Sequence, residues 1–488
     1  MWHFFRDFMV YGVASILGKM AAIFLMPLYT SILTKEEYGA MALITSCKGI
    51  IDLFSNLNIH SGIARDYYEE GINRKRLVST GFLSISILSL TIMSIGLITS
   101  SFWSGNVLGL SEIFWPAFTV MLCSIPAGSL MSYFAILTRY KKKPVSYSVG
   151  TLLQLLIQIG ISVYGVAVLR VGIISIFYGV LAGEIIAIIY FSLLNREYIG
   201  FQFDRDLLGR ALLFALPTLP AILAGWLDSS MGQILIGKYV SVEELGVYSI
   251  ALSLASVFTL ISTAFSNVWT PFLYENYKNP NFKRNIHRLF SIMALVLVMV
   301  SLFLSLFSHE IVLLLSNDGY LDACQYLTLL CIPMSFYLLM PFASSGVSIT
   351  RDTKYIGISQ MAGSCGNLIS LFISIQFIGI LAVPLCLAIS RIVTYLILYK
   401  VSEKKIGYSL PNYFFIILIA VVLTCYVFVK NEASFTFRII TASISLGVIA
   451  FVINTRYDLT NLLNLAKQSK SHSVFFPEKR SDCSQTKN

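Results

Sequence analysis

The chain has 488 residues, 56% of them apolar and only 12% charged, with 35 lysines and arginines against 25 acids and a net charge of +10. Its mean hydropathy of +0.77 excludes an ordinary soluble domain, which is about 25% charged. Its eight cysteines give no disulfide framework; all but Cys483 lie in apolar stretches and read as small packing residues.

Fourteen apolar stretches reach the roughly 20 residues that cross a bilayer. They are expected at 8–33, 38–59, 78–101, 115–138, 145–169, 171–194, 209–236, 245–272, 287–315, 321–348, 355–378, 380–400, 413–430 and 436–454. The apolar runs are near-continuous rather than alternating, so they predict helices and not the strands of a barrel. The first follows Arg6 and Asp7, is too long for a signal peptide and leads into a second. It is therefore expected to be retained as a helix.

Twenty-seven of the 35 basic residues fall in alternate loops and the two ends, whereas Lys35, Arg170, Lys238, Lys430 and Arg438 fall on the other side. This sorting predicts a polytopic protein of the inner-membrane type with both termini cytoplasmic. It also accounts for the net charge through orientation and anionic lipid, so no nucleic acid is expected as a partner.

Thr34-Lys35-Glu36-Glu37-Tyr38-Gly39 recurs as Ser241-Val242-Glu243-Glu244-Leu245-Gly246, an offset of 207 residues, and Ile125-Pro126 meets Ile332-Pro333 at the same offset. Six spans separate the copies, so the two halves share an orientation. A pseudo-two-fold axis along the membrane normal is expected to relate them. The predicted organisation is a first lobe of spans 1–6 at 1–200, a second of spans 7–12 at 201–405, two added spans at 406–454 and a polar tail at 455–488. The loops opposite the basic ones are short and leave no room for an extramembrane catalytic domain. Pro27, Pro126, Pro217, Pro220, Pro271, Pro333, Pro341 and Pro384 lie in or at the ends of spans, where proline permits a bend.

Ionisable groups inside spans are the functional pointers, because each costs roughly 2.5–3.5 kcal/mol at mid-bilayer unless it faces water or a partner. This chain has Lys19, Lys48, Asp52, Glu184, Asp228 and Arg391. Lys48, Asp52, Asn56 and His60 recur every four residues and share one helical face. Two readings stay open for that stripe: it lines a lumen, or Lys48 and Asp52 pair structurally. Glu184 and Arg391 are also 207 residues apart, as either a gating or a static salt bridge across the axis. Lys19 suits a phosphate as a point charge, and Asp228 suits a proton, a sodium ion or a helix cap. No Walker motif, metal-ligand spacing or nucleophile elbow is present, so neither an ATPase nor a cofactor is expected.

Tyr11-Gly12, Pro27-Leu28-Tyr29 and Leu33 to Gly39 resemble the first two helices of the polysaccharide-biosynthesis, O-antigen flippase family. That family is grouped with multidrug-and-toxic-compound extruders and lipid II flippases. Asp228 with Gly246-Val247-Tyr248, and Asn367 with Gly379-Ile380-Leu381-Ala382, resemble its later signatures. The resemblance implies two six-helix lobes around a cation-lined cavity, all-α and polytopic. It implies flipping of an undecaprenyl-diphosphate-linked oligosaccharide across the bacterial inner membrane, with a polysaccharide polymerase and a chain-length regulator as candidate partners. Its lumen cations would map onto Lys19, Lys48 and Arg391; the residues themselves add Asp52 and Asn56 as candidate lumen groups and Glu184 and Asp228 as candidate coupling or gating groups, with H+ or Na+ as candidate coupling ions. An ion-coupled exporter of amphipathic compounds and a membrane glycan polymerase or ligase are the alternatives.

Overall fold

The computed structural model describes residues 17–431, except 19 and 353, together with 438; the side chain of 267 is also outside the description. Lys19, the start of the first span, the fourteenth span and the polar tail lie outside the described residues. The described chain is helical: α1 (Met20–Ile32), α2 (Lys35–Asn56), α3 (Ile59–Tyr67), α4 (Arg74–Ile98), α5 (Trp115–Tyr140), α6 (Pro144–Val163) and α7 (Ile174–Leu194). The second half adds α8 (Arg205–Ala215), α9 (Leu219–Trp226), α10 (Gly232–Tyr239), α11 (Val242–Ala255), α12 (Val257–Asn276), α13 (Phe282–Leu306) and α14 (Ser308–Leu315). It ends in α15 (Ala323–Ala343), α16 (Ser345–Ile349), α17 (Lys354–Ile378), α18 (Ala382–Ile406) and α19 (Tyr413–Lys430).

Among the described residues, ten helical runs are long and apolar enough to cross a membrane, or eleven when the bent pair α2 and α3 counts as one. One of these runs, Lys354–Ile406, comprises both α17 and α18. The helices up to Lys430 form one compact unit.

Several expected spans are single in length and broken in detail. The stretch read as 38–59 turns by 47° between α2 and α3, where Leu57 and Asn58 both adopt left-handed backbone, φ 44° and 53°. The cause is local hydrogen bonding. Asn56 Nδ2 donates to Asp52 O at 2.7 Å and Asn56 Oδ1 accepts from Asn58 N at 2.9 Å, which terminates α2 and starts a new axis. The stretch read as 209–236 is longer, Arg205–Tyr239. It is interrupted by a 3-10 turn containing Pro217 and a π turn at Leu227–Met231. Pro126, Pro271, Pro333 and Pro341 sit inside α5, α12 and α15 without ending them.

The repeated motif has a physical meaning at both positions. Thr34 caps α2 through a reciprocal box: its Oγ1 accepts from Glu37 N at 3.1 Å, and Glu37 Oε2 accepts from Thr34 N at 2.9 Å. Ser241 caps α11 by accepting from Glu244 N at 3.1 Å. The glycine that ends each copy lets α2 and α11 cross backbone to backbone. A Cβ on Gly39 would overlap the Val242 carbonyl oxygen and stand 3.0 Å from Gly246 N; one on Gly246 would overlap the Lys35 carbonyl oxygen and stand 3.2 Å from Gly39 N. Lys35 and Val242 are themselves 207 residues apart, so the two contacts are reciprocal in the repeat register.

A large buried cluster surrounds this crossing, with Tyr38, Leu43, Met121, Tyr248, Tyr320 and Leu327 among its members. Asn317 Nδ2 donates to Thr30 O at 2.8 Å beside it, and Lys35 Nζ lies 3.8 Å from Glu243 Oε1. All of this lies at the end of the bundle opposite the basic loops. At the basic-loop end, α3 packs on α8: a Cβ on Gly62 would overlap the Ala211 carbonyl oxygen. Arg210 lies 3.4 Å from Asp66 Oδ2 and 2.7 Å from Glu69 Oε2. The added helix α19 packs on the second half, where the Phe415 ring stacks on Phe336 at 4.2 Å.

Candidate functional site

A cavity of about 820 Å³ lies between α2, α9, α10, α11, α15, α17 and α18. Tyr38, Thr45 and Ser46 of α2 form one wall; Asp228, Tyr337, Gln360 and Arg391 form the other. Its size is within the range of ligand sites, which run to about 1,000 Å³.

Asp228 sits in the π turn between α9 and α10, where the widened helix turn directs a carboxylate sideways rather than along the span. Three donors converge on it. Arg391 Nη1 is 3.4 Å from Oδ2, Gln360 Nε2 donates to Oδ2 at 2.9 Å, and Asn367 Nδ2 to Oδ1 at 3.3 Å. Ser364 Oγ donates to Ala224 O at 3.0 Å, satisfying a carbonyl near that irregular turn. Gln360, Ser364 and Asn367 follow i, i+4, i+7 spacing, one face of α17. Arg391 is held on its other side by the Tyr337 ring, whose centroid is 5.1 Å from the guanidinium carbon. Both line the cavity, and the Arg391 side chain, 12% exposed against 1% for Asp228, is the more accessible of the pair.

A second charged group lies between α2 and α7. Lys48 Nζ is 3.3 Å from Asp52 Oδ2 and 3.3 Å from Glu184 Oε1. One cation thus faces two carboxylates, and Glu184 Oε2 has no hydrogen-bond partner among the described residues. Gly128 makes the room: a Cβ there would stand 2.9 Å from Glu184 Oε1.

Lys48 with Asp52 is therefore a pair, extended by Glu184. Lys48, Asp52 and Asn56 do not line the 820 Å³ cavity, and Asn56 is committed to the α2 break. Glu184 and Arg391 do not meet; each is bound by a partner from its own half of the chain. Arg391 and Asp228 do line the cavity. Tyr337 and Gln360 were not singled out from sequence, although the polar stripe on α17 was visible in it.

Replacing Lys48 by methionine is expected to leave the buried Glu184 carboxylate, and the half-exposed Asp52 beside it, without a cation. Removing one partner of a buried pair costs about 3–5 kcal/mol, so the thermal unfolding temperature in detergent should fall sharply. Adding Glu184→Gln should recover most of the loss. An unchanged melting curve for Lys48→Met would show that the group is not an ion-paired unit.

The fold is similar to that of solved structures of a lipid II flippase and of transporters of the MOP superfamily. It matches lipid II flippase MurJ in an inward closed conformation over 93% of this chain and 100% of that one, with a TM-score of 0.69 and 14% identity. It also matches an inward-facing multidrug resistance MATE family transporter of that superfamily, over 82% of this chain and 94% of that one, with a TM-score of 0.64 and 16% identity. The chain belongs to the polysaccharide biosynthesis protein family, whose model matches residues 29–325. It is 22% identical to Lsg locus protein 1 of Haemophilus influenzae over 422 residues, which cover 82% of this chain and 98% of the relative.

Proposed function

We propose that this protein is a flippase that carries an undecaprenyl-diphosphate-linked oligosaccharide, an O-antigen or capsule repeat unit, across the bacterial inner membrane by alternating access. The observation that carries this reading is the cavity cation: Arg391, anchored by Asp228 and Tyr337, facing about 820 Å³ of space. A diphosphate resists hydrocarbon because moving an isolated ion into low dielectric costs tens of kcal/mol. A fixed cation offsets part of that, since one charge pair at 4 Å is worth about 4 kcal/mol at a surface-like dielectric. The lipid tail stays in the bilayer while the head group crosses.

In this reading the chain forms fourteen spans in two six-helix lobes related by a pseudo-two-fold axis, plus two added helices, with both termini in the cytoplasm. The reciprocal Gly39–Gly246 crossing supports the axis. The closed end opposite the basic loops then faces outward, and the structure is the inward-facing state. Lys48, Asp52 and Glu184 serve as the coupling group for H+ or Na+, because one positive charge between two carboxylates leaves a place for one more. Lys19, outside the described residues, is proposed as a second cation for the diphosphate. A polysaccharide polymerase and a chain-length regulator are the partners that would take the product on the outer face.

The likeness to multidrug transporters favours a second reading, an ion-coupled exporter of small amphipathic compounds. A chromosomal deletion separates the two. The expected phenotype is loss of surface polysaccharide with build-up of the lipid-linked unit on the cytoplasmic side. Normal polysaccharide display with raised sensitivity to amphipathic drugs would support the exporter instead.

A further inference from the structure

A second, smaller cavity of about 280 Å³ adjoins the first, sharing Tyr337, Ile356 and Gln360 with it. It lies between α12, α15 and α17, toward the ends of α12 and α16 that lead into the basic loops. Its chemistry differs from that of the main cavity. Among the described residues no lysine, arginine, aspartate or glutamate lines it; aromatic rings, hydroxyls and one amide do, alongside aliphatic side chains.

Those groups form a complementary set. Tyr274 is 51% exposed and Tyr337 is 42% exposed, although both belong to apolar spans, so their rings are available to the cavity. The Thr270 hydroxyl donates to Ser266 O at 3.0 Å and the Ser344 hydroxyl to Pro341 O at 3.3 Å. With their protons committed to their own helices, their oxygens remain as acceptors. Trp269, 4% exposed, also lines the cavity, and its buried indole Nε1 is a donor with no hydrogen-bond partner among the described residues. The ring is fixed in place, with the Phe342 centroid 4.3 Å and the Phe265 centroid 5.4 Å away.

We propose that this cavity is a subsite for an uncharged pyranose of the translocated glycan. The assignment rests on the lipid-linked oligosaccharide reading above. A pyranose has a C–H face that packs on the negative face of an aromatic ring, and an edge of hydroxyls that both donate and accept. Neutral walls select such a ring without the desolvation cost a buried charge would impose. Tyr337 joins the two cavities: its ring carries the Arg391 guanidinium at 5.1 Å and also lines the sugar cavity. A diphosphate at Arg391 would thereby place its first sugars at the Trp269 wall.

The test compares two probes on the full-length protein in lipid nanodiscs. One is farnesyl diphosphate; the other is farnesyl diphosphate bearing one glucose, galactose or N-acetylglucosamine, each measured by calorimetric titration. The best sugar-bearing probe is expected to bind about threefold to tenfold tighter than the bare diphosphate, the equivalent of roughly one net hydrogen bond. Trp269→Phe, which keeps the ring and loses the N–H, and Tyr274→Leu should each shrink that gain. Equal affinity for all probes would overturn the subsite while leaving the diphosphate site standing. A gain that survives both substitutions would place the sugar elsewhere and overturn it too. Absence of binding by any probe would overturn the flippase reading, and the subsite with it.

Discussion

Replacing Arg391 by glutamine should reduce export of the lipid-linked glycan by about a hundredfold or more while the protein remains in the membrane. The scale follows from one lost charge pair of about 4 kcal/mol, with each 1.36 kcal/mol worth tenfold. The single variant also strands Asp228, whose carboxylate would keep neutral partners such as Gln360 and Asn367 but no cation. That could lower export through instability alone. The double variant Arg391→Gln with Asp228→Asn removes both charges and keeps neutral hydrogen-bonding groups in their places. It should regain thermal stability and stay inactive in a surface-polysaccharide assay. Restored export in the double variant would make Arg391 a structural counter-ion and nothing more.

Enlarging Gly39 is the second change with a large expected effect. Any side chain there collides with backbone, the Val242 carbonyl, rather than with a flexible side chain that can turn aside. Overpacking of this kind costs typically about 1–3 kcal/mol, borne only by the state in which α2 and α11 cross. Gly39→Ala should therefore move the population away from closure at that end by roughly fivefold to 150-fold. Ile113 and Leu314 are 79% and 78% exposed. Spin labels at these two positions, on a cysteine-depleted background, should report longer distances in the variant. Gly246→Ala should act alike, because the crossing is reciprocal. Unchanged distance distributions in both variants would show that this contact does not hold the closed state.

The elements were legible in the sequence wherever the signal was local. Apolar length marked the spans, and the Thr34 to Gly39 motif with its copy at Ser241 to Gly246 marked the start of α2 and α11. Sequence showed that the motif repeats; only the fold shows that its two copies touch. The break after Asn56 carried no glycine or proline. It arises from an asparagine side chain competing for backbone groups, a signal that Asn56 also gave as one step of a polar stripe. Pro126 and Pro271, by contrast, stand inside helices that continue past them, whereas Pro217 lies in the 3-10 turn between α8 and α9.

The charged residues were identifiable by their cost in a membrane, but their partners were not. Asp228 and Arg391 are separated by 163 positions in the chain, and nothing in either neighbourhood announces the pairing. The register that aligned Glu184 with Arg391 suggested a bridge across the axis. Each instead found an opposite charge within its own half, Lys48 and Asp228, which leaves the cavity between the halves free of a blocking ion pair between those two residues.

The most direct measurement places the purified protein in liposomes carrying the organism's own lipid-linked oligosaccharide and follows how fast head groups become accessible to a membrane-impermeant glycosidase. The expected result is protein-dependent movement of the head group between leaflets, lost in the Arg391→Gln, Asp228→Asn double variant. Head groups that stay in their starting leaflet with the folded wild-type protein present, under both proton and sodium gradients, would contradict translocation through this cavity.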